Sequence, residues 1–182
     1  MTELRTERLL LRPFRASDEA FVLDLHARPD VMRFIGDGRP KTTRVQARQA
    51  IERFNSFGDA PLGTWAIQGL DAGSDGAQRM HGAILLKPIP SSGTGEPSGE
   101  IEIGWRLHPD SWGCGIGSEA ARRVLDHAWA GGLTRLVAVT HPLNLPSQRL
   151  AERIGMRAQG ETDAFYDVTC SLFAITRPAS VR

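Results

Sequence analysis

Lysine, cysteine and tyrosine are the scarce residues of this 182-residue chain. Of 22 basic residues only Lys41 and Lys87 are lysines. Arginine suits phosphate binding, but a genome-wide codon bias is the simpler account of so lopsided a ratio. The only cysteines, Cys114 and Cys170, make neither a metal-ligand pattern nor a disulfide framework. The five histidines show no metal spacing, so no metal is expected. Tyr166 is the only tyrosine. Charge of one sign is also missing: the net charge of +1 gives no reason to expect nucleic acid. No apolar run is long enough to span a bilayer, and Met1-Thr2-Glu3-Leu4-Arg5 lacks the apolar segment of a signal peptide. A cytoplasmic protein with reduced thiols and no membrane partner is expected.

What is present fits one globular domain, residues 1–182. Hydrophobic content is 41%, mean hydropathy is −0.26, and the length allows a sizeable core. Leu9 to Phe14 reads as a strand ended by Pro13. Ser17-Asp18-Glu19 opens a helix, with a capping hydroxyl and acids at the positive end of the dipole. Thr43 to Phe57 predicts a second helix with Val45, Ala47, Ile51 and Phe54 inward. Strands follow at Gly63–Ile67 and Met80–Leu86, around a turn from Asp71 to Gly76. Lys87 to Gly99 holds three prolines and three glycines and predicts an irregular internal loop. Glu100–Leu107 is a longer strand, Glu119–Trp129 a helix, and Leu136–Thr140 an apolar strand buried on both faces. Pro146–Ile154 is the last helix, and Phe165–Ile175 the terminal strand. The order predicts a mixed α/β sheet.

Trp112-Gly113-Cys114-Gly115-Ile116-Gly117-Ser118-Glu119 lies between a strand and a helix. Its alternating glycines allow positive φ and close approach of a ligand to the backbone. Free N–H groups and the dipole at the helix start then favour phosphate. The glycine spacing alone fits a bare strand-to-helix turn equally well. The P-loop reading fails, because Gly117 is followed by Ser118-Glu119 rather than Lys-Ser/Thr. The dinucleotide reading fails too: Ser118 stands at the third glycine, and the next strand ends without an acid at Thr140-His141.

Leu107-His108-Pro109-Asp110-Ser111-Trp112-Gly113-Cys114-Gly115-Ile116-Gly117 resembles the acyl-CoA pyrophosphate loop of the GNAT N-acetyltransferases, Gln/Arg-x-x-Gly-x-Gly/Ala. Trp112 in place of Gln or Arg resembles the ribosomal-protein N-terminal acetyltransferase (Rim-type) branch. Thr6 to Pro13 is similar to that branch's opening strand, and Glu102-Ile103-Gly104-Trp105-Arg106-Leu107 to its central strand. Asn144-Leu145-Pro146-Ser147, followed by Ala151-Glu152-Arg153-Ile154-Gly155-Met156, is similar to its last helix. These segments span nearly the whole chain in order. Cys114 departs from the pattern, since that slot is often basic.

The resemblance implies a GNAT-type α/β fold: a mixed, mostly antiparallel sheet splayed between two central strands and flanked by helices. It implies acetyl-CoA as co-substrate and direct attack by a primary amine. Trp112, Gly113, Cys114, Gly115, Ile116, Gly117 and Ser118 would cradle the pyrophosphate, with Arg122, Arg123 and Arg149 as nearby charge. Main-chain groups of Trp105, Arg106 and Leu107 would pair with pantetheine like an added strand, and Asn144 would bond it or hold the splay open.

The attacking amine must be neutral, which for a lysine-type amine means overcoming a pKa of about 10.4 and for an α-amine about 8. Glu102, on the strand beside the thioester, is the candidate base. The plain alternative is that Glu100 and Glu102 form a solvated strand face. The departing thiolate, of free-thiol pKa about 8.5, needs stabilising. Ala151 stands where many members carry a donor tyrosine, and Ser147 is the candidate instead, against a purely capping role. Tyr166 is an alternative acid, or a packed strand residue. Acyl-enzyme chemistry at Cys114 is rejected for want of a histidine partner.

The acceptor implied is a protein N-terminal α-amine, entering between residues 17–57 and the terminal strands, with Trp65, Phe34 and Tyr166 as possible lining. The rivals are a small-molecule amine, such as an antibiotic or metabolite, and a non-catalytic acyl-CoA-binding module. A monomer or homodimer fits equally.

Overall fold

The computed structural model describes residues 2–57, 60–72 and 78–178. Two short strands, β1 (Leu4–Arg5) and β2 (Leu9–Arg12), lead to helices α1 (Glu19–Ala27), α2 (Pro29–Met32) and α3 (Arg44–Asn55). Three long strands follow: β3 (Gly63–Ala72), β4 (Gln78–Pro90) and β5 (Pro97–Leu107). Then come α4 (Ile116–Ala130), β6 (Arg135–Thr140), α5 (Leu145–Arg153), β7 (Arg157–Thr162) and β8 (Cys170–Thr176). Among the described residues, eight strands form one sheet in the order β1-β2-β3-β4-β5-β6-β8-β7. Every pairing is antiparallel except β5 with β6.

Strand alternation sends side chains to two helical layers. Trp65, Ile67, Ile84, Leu86 and Ile103 pack on one face against Ala120, Ala121, Val124 and Ala128 of α4. Ala66 and Ala83, one residue out of phase, face Val22 of α1 and Ala47, Ile51 and Phe54 of α3. Leu136, Val137 and Ala138 of β6 are buried and divide between the two sides, as a strand covered on both faces requires.

Local chemistry sets the helix ends. The Thr43 hydroxyl accepts from Gln46 N at 3.3 Å, and Gln46 Oε1 accepts from Thr43 N at 3.1 Å, a reciprocal cap for α3. The turn before α1 is held by a buried fork: Arg12 Nη1 and Nη2 donate to Asp18 at 2.7 and 2.9 Å. Asp18 also accepts from Arg15 N at 2.8 Å.

Several expectations are corrected. Segment 87–99 is mostly paired rather than irregular: β4 runs to Pro90 and β5 begins at Pro97, with Pro88 opposite Ile101. β3 stops pairing at Gly63↔Leu86, so Pro88 and Pro90 sit on a β4 edge where no N–H is required. Val45 is exposed, unlike Ala47, Ile51 and Phe54. The last strand starts at Cys170, because Tyr166 and Asp167 take φ of 60° and 58° in a turn. Edge strand β7 carries only exposed or half-buried residues and so offered no apolar alternation to read. Part of the Asp71–Gly76 turn, residues 73–76, lies outside the described residues.

Candidate active site

β5 and β6 meet at a single register pair among the described residues, Glu102↔Val137. Beyond it the strands part, leaving the β6-facing edge of residues 104–107 without a strand partner. A cavity of about 380 Å³ opens at this splay. Trp105, Arg106 and Leu107 form one wall, and Trp112, Gly113, Gly115, Gly117 and Ser118 a second. Asn144, Ser147, Arg149, Leu150 and Arg153 of α5 form a third, and Val31 and Ile35 close a fourth side.

The glycine loop passes directly into α4. Gly113 and Gly115 have φ of 74° and 78°, and Gly115 is the residue before the first helical turn. A side chain at Gly117 would place its Cβ 2.6 Å from Leu150 Cδ1 and 2.9 Å from Leu107 Cδ1, so glycine permits α4, α5 and β5 to converge there. The helix begins at Ile116, not Glu119 as expected, because the glycines are themselves part of the helix entry. The first-turn acid, Glu119, is turned aside: Arg8 Nε donates to it at 2.7 Å, and Arg8 N at 3.1 Å. Arg8 Nη1 also donates to the Cys114 carbonyl at 3.4 Å. The positive end of α4 is therefore not cancelled by its own carboxylate. Trp112 Nε1 donates to Leu107 O at 3.0 Å, tying the loop to the end of β5. The exposed Cys114 thiol is 3.4 Å from Trp112 O and has no histidine beside it.

Glu102 lies on the other face of β5, level with Lys87 of β4. It is buried, 7% exposed, unlike Glu100, which pairs with Arg135 at 3.1 Å. The solvated-face alternative therefore applies to Glu100 alone. The Tyr166 hydroxyl donates to Glu102 Oε2, and Lys87 Nζ donates to the Tyr166 oxygen at 2.8 Å. Burial raises the Glu102 carboxyl above the ordinary carboxylate range, while Lys87 and Tyr166 oppose the rise. Burial and the Glu102 charge also raise Tyr166, disfavouring a phenolate. A Cβ at Gly104 would lie 3.5 Å from Glu102 Oε1, so the carboxylate leans along the strand over Gly104 toward Arg106 and the cavity. Glu102 is not itself on the cavity wall.

Tyr166 is held by a clasp between the β4–β5 hairpin tip and the β7–β8 turn. Gly93 N donates to Asp167 Oδ1 at 2.6 Å, Asp167 N to Ser92 Oγ at 3.0 Å, and Ser92 N to Ala164 O at 2.8 Å.

Asn144 Oδ1 accepts from Ser147 N at 3.4 Å and caps α5, so the capping role belongs to Asn144. Ser147 is among the residues lining the cavity. Ala151 is fully buried and offers no donor. Of the three arginines placed near the phosphates, Arg149 lines the cavity, whereas Arg122 and Arg123 donate to the carbonyls of Arg153 and Arg5. Trp65 is core, fully buried with Nε1 donating to Thr2 O at 2.9 Å. Phe34 stacks on His141 with ring centroids 4.8 Å apart, bridging the α2–α3 connection to the end of β6.

Arg8, Lys87, His26 and Arg153 were not picked out from the sequence. Lys87 and Glu102 are far apart in sequence and meet only through strand register. Arg153 sits four residues after Arg149, a helical spacing that puts both on one face of α5.

A splayed mixed sheet with a glycine loop entering a helix at its open end is the architecture of acyl-CoA-dependent acyltransferases. Residues 8–157 match the family model described as Acetyltransferase (GNAT) domain, and the chain belongs to this family and is an N-acetyltransferase. The family takes its acetyl group from acetyl-CoA. The chain is 28% identical over 158 residues to an uncharacterized N-acetyltransferase, YnaD, of Bacillus subtilis, covering 86% of this chain and 84% of that one. RimL, a ribosomal L7/L12 alpha-N-protein acetyltransferase solved with coenzyme A, has a TM-score of 0.74 at 16% identity, with 96% and 98% coverage. AAC(6')-Ib, solved with ribostamycin and coenzyme A, has a TM-score of 0.72 at 18% identity, with 94% of each chain covered. At such identities the likeness is one of fold alone, and it leaves the Rim-type branch and the acceptor open. No helix among the described residues is long and apolar enough to cross a membrane.

Proposed function

We propose that this enzyme transfers acetyl from acetyl-CoA to a primary amine by direct attack, with a protein N-terminal α-amine as the favoured acceptor. The observation that carries the reading is the cavity at the splay. It joins an anion cradle, an unpaired strand edge and the α5 hydroxyl in one continuous space.

The residues present fit the co-substrate. Backbone N–H groups of residues 113–118 and the start of α4 suit a pyrophosphate, with Arg149 and Arg153 on the rim. The free edge of Trp105 to Leu107 suits the amides of a pantetheine arm. Bound acetyl-CoA supplies an activated thioester, and the chain supplies proton management and position. Glu102, held by the Tyr166 hydroxyl, accepts the proton of the incoming ammonium directly or through water. Its raised affinity for protons brings it closer to the amine it must deprotonate. Ser147 Oγ, on the α5 wall, donates toward the departing sulfur. Cys114 stays a loop residue, its slot belonging to phosphate.

The Rim-type motifs support a peptide N-terminus. A small-molecule amine is the second reading, since AAC(6')-Ib, solved with ribostamycin, shares the fold. Release of CoA thiol from acetyl-CoA, followed against short N-terminal peptides, polyamines and aminoglycosides, separates the two. Turnover confined to peptides supports the first reading, and turnover confined to small amines replaces it. Acetyl-CoA binding with no thiol release on any amine would leave only a binding module.

A further inference from the structure

Among the described residues Arg106 makes no direct ion pair with a carboxylate, and its side-chain contacts are a histidine and an aromatic ring. Its side chain leaves β5 on the Glu102 face, toward α1 and α3, and the residue borders the cavity. Nη1 lies 3.0 Å from His26 Nε2, and the guanidinium sits over the Phe54 ring, 5.4 Å from its centroid. Neither neighbour carries negative charge: burial and the adjacent cations depress His26 to about 3, so it accepts from Arg106 as a neutral ring. The nearby carboxylates are engaged elsewhere. Glu102, whose charge reaches Arg106 from further along the strand, is bonded by Tyr166 and lies 3.8 Å from Lys87, Asp24 pairs with Arg28 and His108, and Asp37 pairs with Lys41. Among the described residues no carboxylate is in ion-pair contact with Arg106, and none with Arg53, whose charge also acts on it.

A guanidinium with no carboxylate in contact leaves its planar fork free to take one. The phosphates of the co-substrate do not take this place, because their cradle lies at the start of α4, on the opposite side of the sheet. We propose that Arg106 binds a carboxylate of the acceptor, so that the preferred substrate is a primary amine bearing a carboxylate close to that amine. The α-carboxylate of a free amino acid and an acidic side chain at a peptide N-terminus share this chemistry. The same positive potential disfavours the ammonium form of the acceptor and repels polyamines. The inference rests on the proposed acetyl transfer, with the acceptor meeting the thioester where Arg106 borders the cavity.

Matched acceptors test it: leucine against leucinamide, and N-terminal peptides opening with Asp against Asn. The wild type should show a kcat/KM about tenfold or more higher for the carboxylate member of at least one pair, and the responding pair identifies the source. Arg106→Gln should abolish that preference by lowering only the carboxylate member, and Arg106→Lys should restore part of it. Equal rates within both pairs, or an equal loss of both members in Arg106→Gln, would overturn the proposal. Thermal stabilisation of the CoA-loaded protein by the same compounds reads the preference without turnover. Stabilisation by the carboxylate member alone, lost in Arg106→Gln, supports the proposal even if no acetyl is transferred, whereas none from any member overturns it.

Discussion

At Glu102 burial and chemistry pull against each other. A carboxylate inside the sheet is disfavoured as an anion, and that same burial raises its proton affinity toward what an amine base needs. The linkage sign follows. A folded pKa above the unfolded one means that stability from this group is full below the unfolded value and is lost as pH rises through the folded value. Glu102→Gln should therefore lower kcat/KM by about 10²–10⁴. It should also leave Tm equal to or above wild type at pH 8, with the gain vanishing near pH 4. Paired rate and melting measurements check both halves, and a Tm loss at pH 8 would show that the Lys87 and Tyr166 contacts outweigh the buried charge. The sequence marked Glu102 as a candidate but could not distinguish it from Glu100, because alternation puts both on one face. Register against Lys87 and the Tyr166 turn made the distinction.

Among the elements, α4 carries the binding argument. Its small residues Ala120, Ala121 and Ala128 let it lie close on the sheet, and Gly117 lets its first turn touch Leu107 and Leu150. Gly117→Ala forces both leucines to move, at a cost of about 1–3 kcal/mol, and narrows the cavity they border. A raised KM for acetyl-CoA with a lowered Tm is expected, and an unchanged KM would mean that the leucines repack without disturbing the cradle. The loop, α4 and α5 were legible from glycine spacing and amphipathic period. The hairpin of β4 and β5 was not, because its prolines and glycines resemble a loop until one sees that they lie on an edge that needs no donor.

For the molecule as a whole, one buried and two half-buried histidines contribute to the response to acid. Burial lowers His26, His81 and His127, and neighbouring cations add to the effect. A depressed folded pKa gives stability that is present above the unfolded value, about 6.5, and is lost as pH falls through the folded value. For His26, held near 3, the expected slope between those limits is roughly 1 kcal/mol per pH unit. Urea unfolding at pH 7, 6, 5 and 4 should show this decline, and His26→Gln should flatten it. A flat wild-type profile would mean that His26 ionises without unfolding.

Residue order alone determined the glycine loop ahead of a helix, the alternation of apolar faces and the family resemblance, because glycine spacing, alternation and helical period are local properties. Tertiary structure decided which acid is buried, which arginine lacks a carboxylate partner, and how Tyr166 comes to rest on Glu102. Those depend on strand register and on a clasp between segments some seventy-five residues apart, such as Ser92 and Asp167, and no local pattern encodes such distances.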